Sequence, residues 1–197
     1  MIAYIEDALK RADALLLLDQ VCEMNTGVLT ARVRQAINEI AKEYHEKLIL
    51  ADSRTFIQYY QNVIIKCNNY EATRIVGYTE NTNSFNLEEV FFCMDELRRR
   101  TNRPVIVTCN KYGIAVEENG EKKLIPAVHH SCPIDVCGAG DACSAGMASV
   151  LCAGGSYVEA ALIGNLTSGA TVRKIGSTGT ASQMEILELY DEQSGGQ

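Results

Sequence analysis

Four short, unbroken apolar runs, Ala14–Leu18, Leu48–Leu50, Val63–Ile65 and Val105–Val107, set the strongest limit on how this chain folds. A strand with one wet face alternates apolar and polar residues. A continuous run instead fits a strand covered on both faces, as in a parallel sheet between helices. The segments between the runs agree. Val33, Ile37, Ile40 and Ala41 recur at helical spacing after the first run. A short helix is expected from about Asn69 to Val76. Asn86 with Glu89 opens another in the manner of a capping box, with Val90, Phe91, Met94 and Leu97 on its buried face. Pro104 precedes the fourth run. Strand and helix therefore alternate, which predicts a three-layer α/β/α fold around a mostly parallel sheet. Ligands of such sheets bind beyond the carboxyl ends of the strands. Asp52, Asn68 and Thr108 fall at or just after those ends.

The pattern changes from Gly113 to Ile125, where Asn119-Gly120 between two short strand-like runs signals a hairpin. Beyond it the chain reads as mostly helical, with helix starts at Ser156/Glu159 and Ser182/Glu185. A single domain over residues 1–192 is expected, followed by a disordered tail over 193–197. With 197 residues the chain can bury a real core. Its net charge of −7 argues against a nucleic-acid surface. The one dense basic run, Arg98-Arg99-Arg100 with Arg103, ends a predicted helix and suits the negative end of its dipole. No apolar run reaches membrane-spanning length and no signal-peptide pattern opens the chain, so a cytoplasmic location is expected. The eight cysteines include no Cys-x-x-Cys pair, which predicts reduced thiols and neither a disulfide framework nor a zinc site. His129-His130 has no partner at metal-ligand spacing and reads as loop.

Asp135-Val136-Cys137-Gly138-Ala139-Gly140-Asp141 carries the clearest chemistry. A helix that starts in this small-residue turn points free N–H groups and the positive end of its dipole into it, the usual setting for a phosphate. A carboxylate there would repel phosphate, unless Asp141 takes the proton of a hydroxyl that attacks the phosphorus. The N–H groups of Gly138, Ala139 and Gly140 would then neutralise the transferring group while Asp141 acts as general base. The alternative is a plain turn with Asp141 as helix cap.

This stretch resembles the Asp-Thr-x-Gly-Ala-Gly-Asp signature of the ribokinase-like (PfkB) carbohydrate kinases. Asn68-Asn69-Tyr70-Glu71 is similar to the family's Asn-x-x-Glu, and Thr108-Cys109-Asn110-Lys111-Tyr112-Gly113 to its Thr-x-Gly-x-x-Gly. Asn165 matches the family's asparagine near the adenine. Three motifs stand in the right order, the match runs from about Ala12 to near Glu188, and the heptose-phosphate kinase branch looks nearest. The resemblance implies a Rossmann-like sheet and ATP-dependent phosphorylation of a sugar or sugar phosphate. It implies Mg²⁺ held through water near Asn68 and Glu71, and nucleotide contacts at Thr108, Asn110, Gly113 and Asn165. It also implies a monovalent cation such as K⁺ near Asp135 and Cys137. Val136, Asn110 and Cys143 depart from the family pattern, which has threonine, glycine and an aromatic residue there. The family's first strands, its lid and most of its sugar contacts precede the matching region. Asp19 is the one remnant of an acceptor site that can be named.

Other readings stay open at several positions. Glu71 could be a solvated helix residue, Thr108 an ordinary strand residue, Asn165 a packing polar group, and Asp135 a residue that only orients the turn. For the chain as a whole, a catalytically silent nucleotide-binding protein is a second reading. Without the lid and first strands, a homodimer or a partner chain is then expected to cover an exposed sheet edge. A dinucleotide-binding oxidoreductase fares poorly, because no Gly-x-Gly-x-x-Gly follows the first run.

Overall fold

In the computed structural model, which describes residues 1–78 and 85–194, each of the four apolar runs forms a β-strand. The chain divides into two units, Met1–Thr108 and Cys109–Gln197. The first contains α1 (Ile2–Leu9), β1 (Ala14–Asp19), α2 (Ala31–Glu43), β2 (Leu48–Ser53), β3 (Ile64–Asn68), α3 (Asn69–Val76), α4 (Leu87–Thr101) and β4 (Val105–Thr108). β1 pairs with β2, β2 with β3 and β3 with β4, all parallel. The register sets Asp19 beside Ser53, Asp52 beside Lys66, and Asn68 beside Thr108. Since the four strands run the same way, their last residues share one edge, and the polar ends of the apolar runs collect there.

Local chemistry explains where the helices of this unit begin and end. Thr30 caps α2 by accepting the Val33 N–H at 3.3 Å. The expected stripe of Val33, Ile37, Ile40 and Ala41 is buried, and so is Arg34. α3 occupies the expected residues. Asn86 caps α4 through the Glu88 and Glu89 N–H groups, and Arg98, Arg99 and Arg100 fill its last turn. Val90, Met94 and Leu97 lie on its buried face with Cys93, while Phe91 is half-buried. α1, which the apolar pattern did not announce, buries Ile5 and Leu9.

In the second unit β5 (Ile114–Glu118) and β6 (Glu121–Ile125) form the expected hairpin, antiparallel, with Asn119 at φ 52° and Gly120 at φ 83°. Three helices follow: α5 (Ala139–Cys152), α6 (Tyr157–Val172) and α7 (Gln183–Ser194). Ser156 and Glu159 form a reciprocal capping box at the start of α6, and Ser182 and Glu185 exchange the same pair of bonds ahead of α7. α5 and α6 approach closely through small residues, with Gly146 against Thr167 and Gly164 against Met147 and Cys143. Leu189 of α7 joins Leu166 and Ala170 of α6 in a small core. α7 includes Gln193 and Ser194, the first two residues of the expected tail; 195–197 lie outside the described residues. All eight cysteines are free thiols, with Cys67, Cys93, Cys109 and Cys143 buried. Burial pushes the Cys93 thiol up to about 11 and the Cys109 thiol up to about 12. Among the described residues, no helix is long and apolar enough to cross a membrane.

Candidate functional site

The turn before α5 is organised by Asp135. Its Oδ1 accepts the Cys137 N–H and its Oδ2 the Gly176 N–H, each at 3.0 Å, while its own N–H donates to the Val172 carbonyl at 2.8 Å. These two N–H bonds, that of Cys137 first, hold the Asp135 carboxyl below its ordinary value. The contacts are those of a residue that orients the turn and ties it to the segment after α6. Cys137 contributes its backbone N–H, and its thiol is exposed. Among the described residues no group of three or more His, Cys, Asp or Glu could hold a metal ion. A monovalent cation beside Asp135 would therefore depend on backbone carbonyls.

Gly138 caps α5 in the left-handed region at φ 77°, where a side chain is disfavoured. No side chain caps this helix, so Asp141 is not its cap and stands exposed in the first turn. Of the three successive N–H groups expected to face a phosphoryl, one is engaged within the turn. The Ala139 N–H donates to the Val136 carbonyl at 3.2 Å, because the turn closes on itself there. Gly138 leads into the helix, and Gly140 and Asp141 sit in its first turn, where N–H groups have no acceptor within the helix. A Cβ placed on Gly140 would meet nothing within 4 Å, so the space over this turn is open.

Thr108, in the first unit, ends β4, and its Oγ1 donates to the Cys67 carbonyl at 3.4 Å. In the second unit Asn110–Tyr112 makes a single 3-10 turn. Asn110 has φ 51°, which explains both the glycine of the family pattern and the asparagine here, one of the few side chains that tolerate this conformation. Gly113, at φ 116°, lies so close to the Ile125 carbonyl that a Cβ would collide with it. Asn165 reaches the same place from α6: its Nδ2 donates to the carbonyls of Ile125 and Pro126, both at 2.9 Å. Gly113 and Asn165 thus meet at one segment. Both amide hydrogens of Asn165 are used inside the protein, which is the geometry of a packing residue and leaves its Oδ1 as the atom open to a ligand.

In the first unit the Asn-x-x-Glu motif is a capping box. Asn68 Oδ1 accepts the Glu71 N–H at 2.9 Å, and Glu71 Oε2 accepts the Asn68 N–H at 2.8 Å. Glu71 is therefore not a freely solvated residue, and burial above all raises its carboxyl over the usual value. Asn69 Oδ1, in the first turn of α3, is buried with no partner among the described residues. A half-buried carboxylate such as that of Glu71 fits a cation that keeps its water shell, since those waters supply hydrogens to it.

One charged group at this edge escaped the sequence reading. Lys66, only 3% exposed, donates from Nζ to Asp52 Oδ2 at 2.7 Å. The signal was present as a charge inside an apolar run with an opposite charge in the preceding strand. Asp19, named as a remnant of the acceptor site, is instead committed to a buried network. Its Oδ2 accepts from Arg34 at 3.0 Å and from Ser53 and Tyr60 at 3.1 Å each.

Comparison with known proteins bears on the family and the fold. Residues 3–184 match the pfkB family carbohydrate kinase profile. The bifunctional protein HldE of Wolinella succinogenes is 32% identical over 191 residues, which are 95% of this chain and 38% of that protein. HldE of Gluconobacter oxydans is 32% identical over 168 residues, 84% of this chain and 34% of that protein. The chain therefore spans well under half the length of these relatives. Among solved structures, Thermotoga maritima ribokinase is matched over 94% of this chain and 59% of its own, with TM-score 0.69 and 18% identity. Arabidopsis thaliana ribokinase in complex with ribose and ATP is matched over 94% and 58%, with TM-score 0.72 and 16% identity. At these identities the likeness shows the fold, a three-layer α/β/α arrangement with a mostly parallel sheet. The family match over residues 3–184, together with the three motifs in order, places the chain: it belongs to the pfkB family of carbohydrate kinases.

Proposed function

We propose that this chain is the nucleotide-handling, catalytic part of an ATP-dependent kinase that phosphorylates a hydroxyl of a sugar or sugar phosphate. The observation that carries this reading is the start of α5, where an exposed carboxylate, Asp141, stands uncommitted to capping beside helix N–H groups. In this reading Asp141 accepts the proton of the attacking hydroxyl. The acceptor oxygen forms the new bond to the γ-phosphorus, and the bond from that phosphorus to the bridging oxygen of ADP breaks. The N–H groups of Gly138 and Gly140 take the developing charge on the transferring group. Asp135 keeps the turn in shape, and the turn at Asp135 and Cys137 would hold a K⁺ that supplies positive charge when bound. In the first unit, Asn68 and Glu71 would hold the water shell of Mg²⁺, which when bound would supply charge to neutralise phosphate oxygens. In the second unit Asn110, Gly113 and the Oδ1 of Asn165 line the nucleotide. The ATP-bound ribokinase with the same fold supports the choice of nucleotide.

A nucleotide-binding subunit that is itself catalytically silent is the second reading. One experiment tests both. ATP–Mg²⁺ binding is measured by calorimetry on the parent and on Gly140→Asp, a substitution for which the structure has room. Binding by the parent and loss in the variant are expected, because the new carboxylate faces the phosphate. Equal binding by both would sink the phosphate assignment. Binding without turnover over a panel of sugars and sugar phosphates would favour the subunit reading.

A further inference from the structure

Asp52 and Lys66 place opposite charges inside strands that are otherwise apolar. They are register partners on β2 and β3, with side chains 13% and 4% exposed. Such a pair is a weak source of stability, since well-packed apolar residues in its place are often as good or better. Its position suggests another use. Lys66 and Asn68 lie two apart on β3 and leave the strand on the same face. Glu71 senses both charges: Asp52 pushes its carboxyl up and Lys66 pulls it down. The ammonium nevertheless bonds to Asp52 at 2.7 Å, while Glu71 Oε2 takes the Asn68 N–H.

We infer that Asp52 is a positioning residue: it holds the Lys66 ammonium away from Glu71, so that Glu71 keeps an oxygen for the water shell of a divalent cation. The inference rests on the cation reading of Asn68 and Glu71 given above. Without Asp52, the flexible four-carbon stem of Lys66 lets its charge turn toward Glu71, whose carboxylate already feels it, and compete with the metal there. The two halves of the pair therefore have opposite effects. Loss of Asp52 weakens cation binding, whereas loss of Lys66 does not.

The test measures Mn²⁺ binding to the full 197-residue chain by the electron paramagnetic resonance of free Mn²⁺. Asp52→Asn is expected to raise the Kd about tenfold or more, as outer-shell changes at metal sites do. Lys66→Met is expected to leave it unchanged or lower, and the double variant to return it to within about twofold of the parent, the signature of a coupled pair. Equal loss in both single variants without rescue would overturn the inference, because a merely structural pair behaves that way. Should Asp52→Asn not fold, Asp52→Glu decides, because it keeps a carboxylate for Lys66: Mn²⁺ binding within about twofold of the parent is expected, and a loss as large as that of Glu71→Gln overturns the proposal. Glu71→Gln also separates the two levels. If it leaves Mn²⁺ binding unchanged, the cation site and the inference both fall; if it weakens binding while Asp52→Asn does not, only the positioning role falls.

Discussion

Asp135 holds two backbone N–H groups with one carboxylate, and both bonds weaken when that carboxylate takes a proton. Its folded-state value is depressed, so the stabilisation is present above the ordinary aspartate range and is lost as pH falls through the lower folded value. The amide resonances of Cys137 and Gly176 should therefore titrate together, with a midpoint below 3.8. In Asp135→Asn the shared transition should vanish. A midpoint at or above 3.8 in the parent would show that the two loops are not tied through this residue. Asp141 makes a different prediction, because its exposed side chain holds up no part of the fold. Asp141→Asn should lower kcat about 10²- to 10⁴-fold, the usual worth of a general base, and leave ATP affinity unchanged. A smaller fall in kcat, or a matching loss of affinity, would remove it from the base role.

Within α5, two glycines serve opposite purposes, and alanine substitutions tell them apart. Alanine in place of glycine improves helix propensity by up to about 1 kcal/mol, and overpacking costs about 1–3 kcal/mol. At Gly140 the added methyl has nothing within 4 Å, so only the gain applies. At Gly146 it would lie 3.1 Å from the Thr167 Cβ and closer still to its Oγ1, which is fixed by a 2.7 Å bond to the Ile163 carbonyl. Gly146→Ala should destabilise by about 1–2 kcal/mol in urea unfolding, while Gly140→Ala should be neutral or slightly stabilising. Similar values for the two would mean that α5 and α6 do not meet through Gly146. The contrast also bears on the phosphate assignment, since a glycine kept at an uncrowded place is kept for what approaches it.

At the scale of the whole chain, the features legible in the sequence are those with local causes. The parallel strands follow from unbroken apolar runs, the hairpin from Asn119-Gly120, and the starts of α3, α4, α6 and α7 from side chains three residues or fewer from the N–H groups they cap. The turn around Gly138 was legible for the same reason. Arg34 and Lys66 were not, because a charged side chain reads as surface until its distant partner is known. Arg34 does lie three residues before Ile37 and seven before Ala41, on the stripe that was read as buried. Its partner Asp19 comes from β1, and the same carboxylate oxygen gathers Ser53 of β2 and Tyr60, so one atom joins segments up to 41 residues apart. Burial and the nearby Asp19 push the Tyr60 hydroxyl up, which keeps it a donor to that atom. Arg34 also lies 4.3 Å over the Phe56 ring. Arg34→Met should therefore cost about 3–5 kcal/mol, the penalty for leaving a buried carboxylate without its counter-charge. That is a large part of a typical domain's stability of about 5–15 kcal/mol. Adding Asp19→Asn removes the stranded charge and keeps an acceptor for Ser53 and Tyr60, so the double variant should regain more than half of the loss. Unfolding midpoints in urea measure both. If the double variant were no more stable than Arg34→Met, the packing of the arginine, and not its charge, would be what the fold depends on.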